Sequence, residues 1–145
     1  MGSRMKRGRR RARGPEIELS RLARRALKAL GAGDAAVSVS LVSSSELRAI
    51  KSRFLGEKQR YVDVLAFPEP EKFPHPETER RPLGEVLLNE TVYRKKPEKA
   101  LFLLGHGILH LLGYRHETKR DMIDMKKAEW ALMKTLGKAV PRTLL

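Results

Sequence analysis

The chain has 145 residues, 41% of them hydrophobic, and a formal net charge of +14. This length suits one domain with a single core, and the hydrophobic content excludes a chain that is disordered throughout. The absence of cysteine excludes disulfides and thiolate ligands, which leaves histidine and carboxylate to bind any metal. No apolar run reaches the roughly 18 residues of a membrane-spanning helix, and the basic start lacks the apolar segment of a secretory signal. We therefore expect a cytoplasmic protein without a membrane partner.

The N-terminal end is strongly basic. Residues 1–13 contain seven of the 31 arginines and lysines and no acidic residue. This composition predicts a disordered tail over residues 1–13, followed by a single domain over residues 14–140. The rest of the chain still carries a formal charge of +7. A basic domain with a basic tail favours RNA over a peptide as its partner.

Hydrophobic periodicity predicts helices and strands along the first half of the chain. A helix begins near Pro15 and ends at Gly31, with an apolar stripe on one side and basic residues on the other. Residues 37–42 alternate as a half-buried strand does. Ser43 and Glu46 then form a capping box, which predicts the start of a short helix.

The second half continues the same pattern. Tyr61–Phe67 predicts a second strand, and five prolines between residues 68 and 82 predict an irregular loop. Residues 84–89 predict a third strand, and a last helix is predicted from Thr118 to Gly137. Its expected inner face consists of Met122, Met125, Glu129, Leu132, Met133 and Leu136. This order predicts an α+β or α/β domain, with helices against a small mixed sheet.

Three of the four histidines lie within eleven residues, as His106, His110 and His116. An apolar helix that begins at Pro97 would carry the first two, and residues four apart share one face with Cβ atoms about 5–6 Å apart. Gly113 suits the end of that helix and lets the chain bring His116 back. Three protein ligands with an open fourth position are typical of a catalytic zinc site.

A core histidine with a hydrogen-bond partner would explain one such residue on an apolar helix. His106 and His110 would each need a separate explanation, because an unpaired buried polar group costs roughly 1–3 kcal/mol. Neutral imidazoles suit zinc, and the chain has no thiolate to offer. We therefore predict one Zn²⁺ per chain.

Two metallohydrolase patterns compete for this stretch. The metzincin pattern H-E-x-x-H-x-x-G-x-x-H fits its spacing, but Gly107 stands where the glutamate that acts as general base belongs. Residues 106–116 read H-G-I-L-H-L-L-G-Y-R-H. They resemble the H-G-x-L-H-L-L-G-Y-x-H signature of the YbeY-type endoribonucleases, which are metal-dependent rRNA maturation factors.

The resemblance extends over roughly residues 36–137. Val62–Pro68 is similar to the family's T-D-V-L-S-F-P, and Leu83–Val86 is similar to its L-G-D-I. Met125 and Glu129 match its M-x-x-x-E. The family's fold supports an α+β domain with the metal site on a central buried helix.

Two departures concern the chemistry. Leu55 stands where the family's Y-R-G-K-D carries an arginine that is thought to serve catalysis, and Arg115 replaces the usual aspartate before the third histidine. Arg115 is the first candidate to take over from that arginine, because it precedes His116. Arg60 and Arg53 are the next candidates, from the segment that supplies the family's arginine.

The resemblance implies a metal-dependent endoribonuclease that cuts single-stranded RNA in rRNA maturation, with rRNA or a ribosomal subunit as partner. Its metal would be held by His106, His110 and His116. The alternative is a non-catalytic ribosome-assembly or RNA-binding module that keeps the metal for structure, and Leu55 favours it. A metzincin-like hydrolase without its glutamate base is the third hypothesis, and Gly107 counts against it.

Overall fold

The computed structural model of the chain describes residues 14–54, 63–70, 80–115 and 117–139. Within these ranges five helices and three strands follow one another along the chain. They are α1 (Gly14–Ala29), β1 (Ala35–Val42), α2 (Ser44–Phe54), β2 (Val64–Pro68), β3 (Arg81–Asn89), α3 (Glu90–Lys95), α4 (Pro97–Leu111) and α5 (Lys119–Ala139). The predicted tail over residues 1–13 and the predicted domain boundary at residue 140 lie outside the described residues.

The three strands form one mixed sheet in the order β1-β3-β2. β1 runs parallel to β3, with Ala35 opposite Arg81, and β2 runs antiparallel to β3, with Val64 opposite Leu88. The strand between two partners is the most protected, and Val86 in β3 is fully buried. The predicted α+β fold with a small mixed sheet is confirmed.

Helices cover both faces of the sheet. Val86 and Leu88 of β3 join the larger core cluster, which α1, α4 and α5 complete. Leu87, which points to the other face, joins a smaller cluster with Leu47 and Ile50 of α2. Helix α4 therefore lies between the sheet and α5, as the predicted central buried helix.

The helix starts predicted from capping boxes are present. At the start of α5 the backbone N–H of Asp121 donates to Thr118 Oγ1 (3.0 Å), and the N–H of Thr118 donates to the Asp121 carboxylate (3.2 Å). At the start of α2 the N–H of Glu46 donates to Ser43 Oγ at 3.2 Å. These bonds satisfy amide groups that have no partner within the first helical turn.

Helix α1 is fixed to the sheet by a buried carboxylate, a contact that the sequence did not predict. Glu16 is 1% exposed and accepts a hydrogen bond of 2.8 Å from the backbone N–H of Leu41. Leu41 lies near the end of β1, the first strand in the order of the described sheet. The start of α1 is thus held at the end of β1, so the helix runs antiparallel to that strand.

Two details of the predicted secondary structure are wrong. The irregular loop was predicted to extend to Pro82, but β3 already begins at Arg81. Proline is tolerated there because Pro82 lies next to a register shift at Leu83, the residue of β3 that has no partner in β1, and β2 pairs with β3 only from Gly84 onward. Met122, predicted on the inner face of α5, is 41% exposed because it lies beside the buried stripe rather than in it.

The described helices were also compared with the length and apolar character of a membrane-spanning helix. None of them combines the length and the apolar character that crossing a bilayer requires.

Candidate metal centre

The end of α4 is shaped by Gly113, as the sequence predicted. Gly113 has a φ of +100°, a backbone conformation that glycine adopts without strain. Its N–H donates to the carbonyl of His110, and the N–H of Tyr114 donates to the carbonyl of Leu109, both at 3.0 Å. This pair of hydrogen bonds is a Schellman motif, which turns the chain sharply after the helix.

The two histidines of α4 converge on one point. His106 Nε2 and His110 Nε2 lie 2.9 Å apart, and the ring centroids are 4.5 Å apart with the planes at 78°. His106 is 4% exposed, whereas His110 is exposed at the surface. The pair therefore joins a buried histidine to an exposed one.

Glu129 of α5 fixes the orientation of the buried ring. His106 Nδ1 lies 3.0 Å from Glu129 Oε2, and the Glu129 side chain is 17% exposed. A carboxylate only accepts hydrogen bonds, so Nδ1 carries the hydrogen of this bond, and Nε2 of the ring is directed towards His110. A carboxylate that holds the far nitrogen of a histidine is the usual second partner of a metal ligand.

The sequence identified Glu129 by resemblance and placed it on the inner face of α5, but it did not predict the contact with His106. The two residues are 23 positions apart, and only the packing of α5 on α4 brings them together. One signal was available: Glu129 is the only acidic residue among the six that were predicted for that inner face. A carboxylate on an apolar face needs a partner.

Two glycines allow α4 to approach its neighbours closely. A Cβ atom at Gly107 would lie 3.1 and 3.2 Å from the two methyl groups of Val86, and one at Gly105 would lie 3.4 Å from Leu132 Cδ1. Position 107 therefore faces the sheet and not the histidine pair. A glutamate there would point into the core, so the structure counts against the metzincin hypothesis independently of the motif.

The predicted arginines are distributed unequally around the site. Arg115 lies beyond the turn of Gly113; its side chain is 70% exposed and forms an ion pair of 3.8 Å with Glu117. Arg53 is exposed in the last turn of α2, which packs on the opposite face of the sheet from α4. Arg60, Leu55 and His116 lie outside the described residues.

Among the described residues, the candidate metal ligands are the two histidines of this pair. Residues 14–54, 63–70, 80–115 and 117–139 contain no group of three or more histidine, aspartate and glutamate side chains that could hold a metal ion. The pair itself fits zinc: two nitrogens bound tetrahedrally lie about 3.3 Å apart. The two Nε2 atoms are thus a few tenths of an ångström closer than in such a site, and a small rotation of the exposed His110 ring would increase their distance.

Comparison with known proteins identifies the same family throughout. The model of the family described as Endoribonuclease YbeY matches residues 8–137. The Endoribonuclease YbeY of Chelativorans sp. (strain BNC1) is 34% identical over 111 residues, which cover 71% of this chain and 67% of that protein. That of Rhodopseudomonas palustris is 32% identical over 113 residues, 72% of this chain and 59% of that protein.

The match with a third relative covers a larger share of that relative's length. The Endoribonuclease YbeY of Thermus thermophilus is 32% identical over 123 residues, 73% of this chain and 83% of that protein. The chain thus spans between 59% and 83% of the length of these three relatives.

Proposed function

Because this chain belongs to the YbeY family, whose curated members are named endoribonucleases, we propose that it is a metal-dependent endoribonuclease that cuts single-stranded RNA in rRNA maturation. The observation that carries the metal dependence is the convergence of two imidazole nitrogens at 2.9 Å, one of them oriented by Glu129. The proposed partner is rRNA, alone or within a ribosomal subunit.

The proposed cofactor is one Zn²⁺ per chain, held by His106, His110 and His116. His116 follows the Schellman turn at Gly113, which reverses the chain close to His110. When bound, zinc supplies a water nucleophile near neutral pH and stabilises negative charge on the phosphate. The chain's own residues hold the imidazoles in place.

Each neighbour of the histidine pair has a separate task in this proposal. Glu129 holds the hydrogen on His106 Nδ1 and thereby keeps Nε2 available as a ligand. Phe102, one turn earlier on α4, stacks on His106 with ring centroids 6.2 Å apart and planes at 24°. The His106 ring is therefore positioned before any metal arrives, while the exposed His110 ring can adjust.

Substrate binding rests on charge. The chain carries a net charge of +14, which favours a polyanion. Arg115 is the proposed cation at the scissile phosphate, because it follows the same turn that leads to His116. To contact the phosphate, Arg115 would have to leave its exposed partner Glu117. Surface ion pairs of this kind contribute only about 0–1 kcal/mol to stability.

The test is cleavage of rRNA fragments by the purified full chain, loaded with zinc. We expect single-stranded segments to be cut, and His110→Ala to abolish the activity. The matched control is His75→Ala, which removes the one histidine outside the motif. Cleavage that survives His110→Ala would contradict the proposal, as would equal loss in both variants.

A second candidate function is a non-catalytic RNA-binding module of ribosome assembly. Leu55 in place of the family's arginine favours it. A fully zinc-loaded protein that binds several rRNA substrates without cutting any of them would support this second candidate over the first.

A further inference from the structure

A groove with a volume of about 620 Å³ lies where the second half of α1 crosses the beginnings of β1 and β3. Its lining contains the basic residues Arg21, Arg24, Arg25, Lys28 and Arg80, and the acidic residue Glu18. The four cations of α1 are spaced by three and four residues, which places them on one face of the helix. Arg80 closes the groove from the other side.

Among the described residues, acidic side chains neutralise little of this charge. Arg21 forms an exposed ion pair of 3.7 Å with Glu18. No acidic side chain in the described part of the chain pairs with Arg24, Arg25 or Lys28, and all three are exposed. Like charges on one helix face destabilise the helix slightly, so helix formation alone does not favour this arrangement.

Arg80 is oriented towards the groove by the backbone. Its Nε donates a hydrogen bond of 3.3 Å to the carbonyl of Gly33, in the turn that connects α1 to β1. Arg81, the next residue, points elsewhere and pairs with Asp34 at 3.7 Å. Of these two consecutive arginines, Arg81 is therefore paired with an acid and Arg80 lines the groove.

The groove and the histidine pair lie towards the same end of the sheet. Ala35, which begins β1, and Arg80, which precedes β3, line the groove. Leu111 follows His110 directly, and a Cβ atom at Gly84, near the beginning of β3, would lie 3.0 Å from Leu111 Cδ2. A ligand long enough to follow this end of the sheet could therefore occupy both places.

We propose that this groove is a docking site for the phosphate backbone of RNA, separate from the histidine pair, and that it holds substrate while another part of the strand is cut. The proposal rests on the proposed function for its choice of RNA. The α1 cations extend over about 10 Å of helix, which is more than one phosphate group can contact. A nucleic-acid strand carries a charge about every 3.4 Å and can meet them together.

The shape of the groove also favours RNA over an anionic membrane. A membrane surface is broad, whereas these cations face a concave space between α1 and Arg80. Exposed cations at the opposite end of the sheet provide a matched control. Arg94, Lys95 and Lys96 lie at the end of α3 and just beyond it, and α3 follows the end of β3 directly.

The experiment compares two triple variants of the zinc-loaded full chain. One is Arg24→Gln/Arg25→Gln/Lys28→Gln and the other is Arg94→Gln/Lys95→Gln/Lys96→Gln, so both lose three positive charges from exposed positions. The affinity for a labelled single-stranded RNA is measured by fluorescence anisotropy over a range of salt concentrations. A denaturing gel after each titration checks that the RNA is intact, and thermal unfolding checks both folds.

We expect the groove variant to bind RNA at least about tenfold more weakly near 0.1 M salt, and its slope of log affinity against log salt to flatten by about 2, because about 0.7 counterion is released per phosphate contact on a single strand. The control variant should stay within about twofold. Equal losses in both variants would overturn the proposal, since they would report net charge alone.

Two further outcomes separate this proposal from others. If the groove variant binds RNA normally but loses binding to vesicles that contain phosphatidylglycerol, the groove is a membrane contact and the RNA proposal fails. If the parent chain binds RNA without cutting it and the groove variant loses binding, the docking site stands and the enzymatic proposal fails. In an active enzyme the groove variant should raise KM and leave kcat unchanged.

Discussion

Glu129 on α5 accepts a hydrogen bond from Nδ1 of His106 on α4, at 3.0 Å. The contact joins two helices through the one histidine of the pair that is buried, and it leaves Nε2 of that ring directed at His110. The orientation of the candidate ligand thus depends on the packing of α5. A substitution that disturbs this packing should therefore weaken zinc binding before it weakens RNA binding.

We predict that Glu129→Ala weakens zinc binding by about 10- to 100-fold, the usual effect of removing a carboxylate that orients a metal-binding histidine. Glu129→Gln should fall in between, because its amide oxygen still accepts from Nδ1 but carries no charge. Competition with a chelator measures both affinities. Glu98→Ala, which removes an exposed carboxylate from the first turn of α4, is the control and should bind zinc normally.

His110→Ala should abolish stoichiometric zinc, because it removes one of two imidazole nitrogens that already lie 2.9 Å apart. Native mass spectrometry counts the metal bound per chain. His75→Ala should retain one zinc per chain. Full metal content in the His110 variant would show that the ligands have been assigned wrongly.

Gly107→Ala should lower the free energy of unfolding by about 1 kcal/mol, because the new methyl group would meet the fully buried and stiff Val86 at about 3.1 Å. The matched control is Gly137→Ala in α5, where nothing lies within 4 Å of an added Cβ atom. It should raise stability by up to about 1 kcal/mol through helix propensity alone. Urea unfolding measures both changes, and the same sign in both variants would refute the close approach of α4 to the sheet.

Arg115→Ala should reduce RNA cleavage at least about tenfold and leave the zinc content intact, because a cation beside the reacting phosphate stabilises charge that develops in the transition state. Its companion is Glu117→Ala, which removes the exposed partner of Arg115. That variant should cleave RNA at least as fast as the parent. Normal cleavage by the Arg115 variant would remove this residue from the mechanism.

Deletion of residues 1–13 should flatten the salt dependence of RNA binding. The segment carries seven cations, and each phosphate contact it makes releases about 0.7–0.9 counterion. Combined with the groove variant, the deletion should have an additive effect if the two regions bind separate phosphates. An unchanged slope of log affinity against log salt would mean that the tail does not contact RNA.

The sequence by itself determined most of the secondary structure and the proximity of His106 and His110. Periodicity and capping residues predicted the helix that begins near Pro15, the capping box of Thr118 and Asp121, and the end of α4 at Gly113. These features depend on residues a few positions apart, whose interactions are encoded locally. The spacing of His106 and His110 belongs to the same class, because a single helical turn brings the two rings together.

The tertiary structure decided what depends on contacts between distant segments. It showed that Glu129 reaches His106, that Gly107 is required by Val86 on the sheet, and that Arg80 faces the cations of α1 across a groove. It also placed Pro82 inside a strand, next to the register shift at Leu83. A local pattern cannot supply such facts, because each depends on which elements pack together and on how closely they approach.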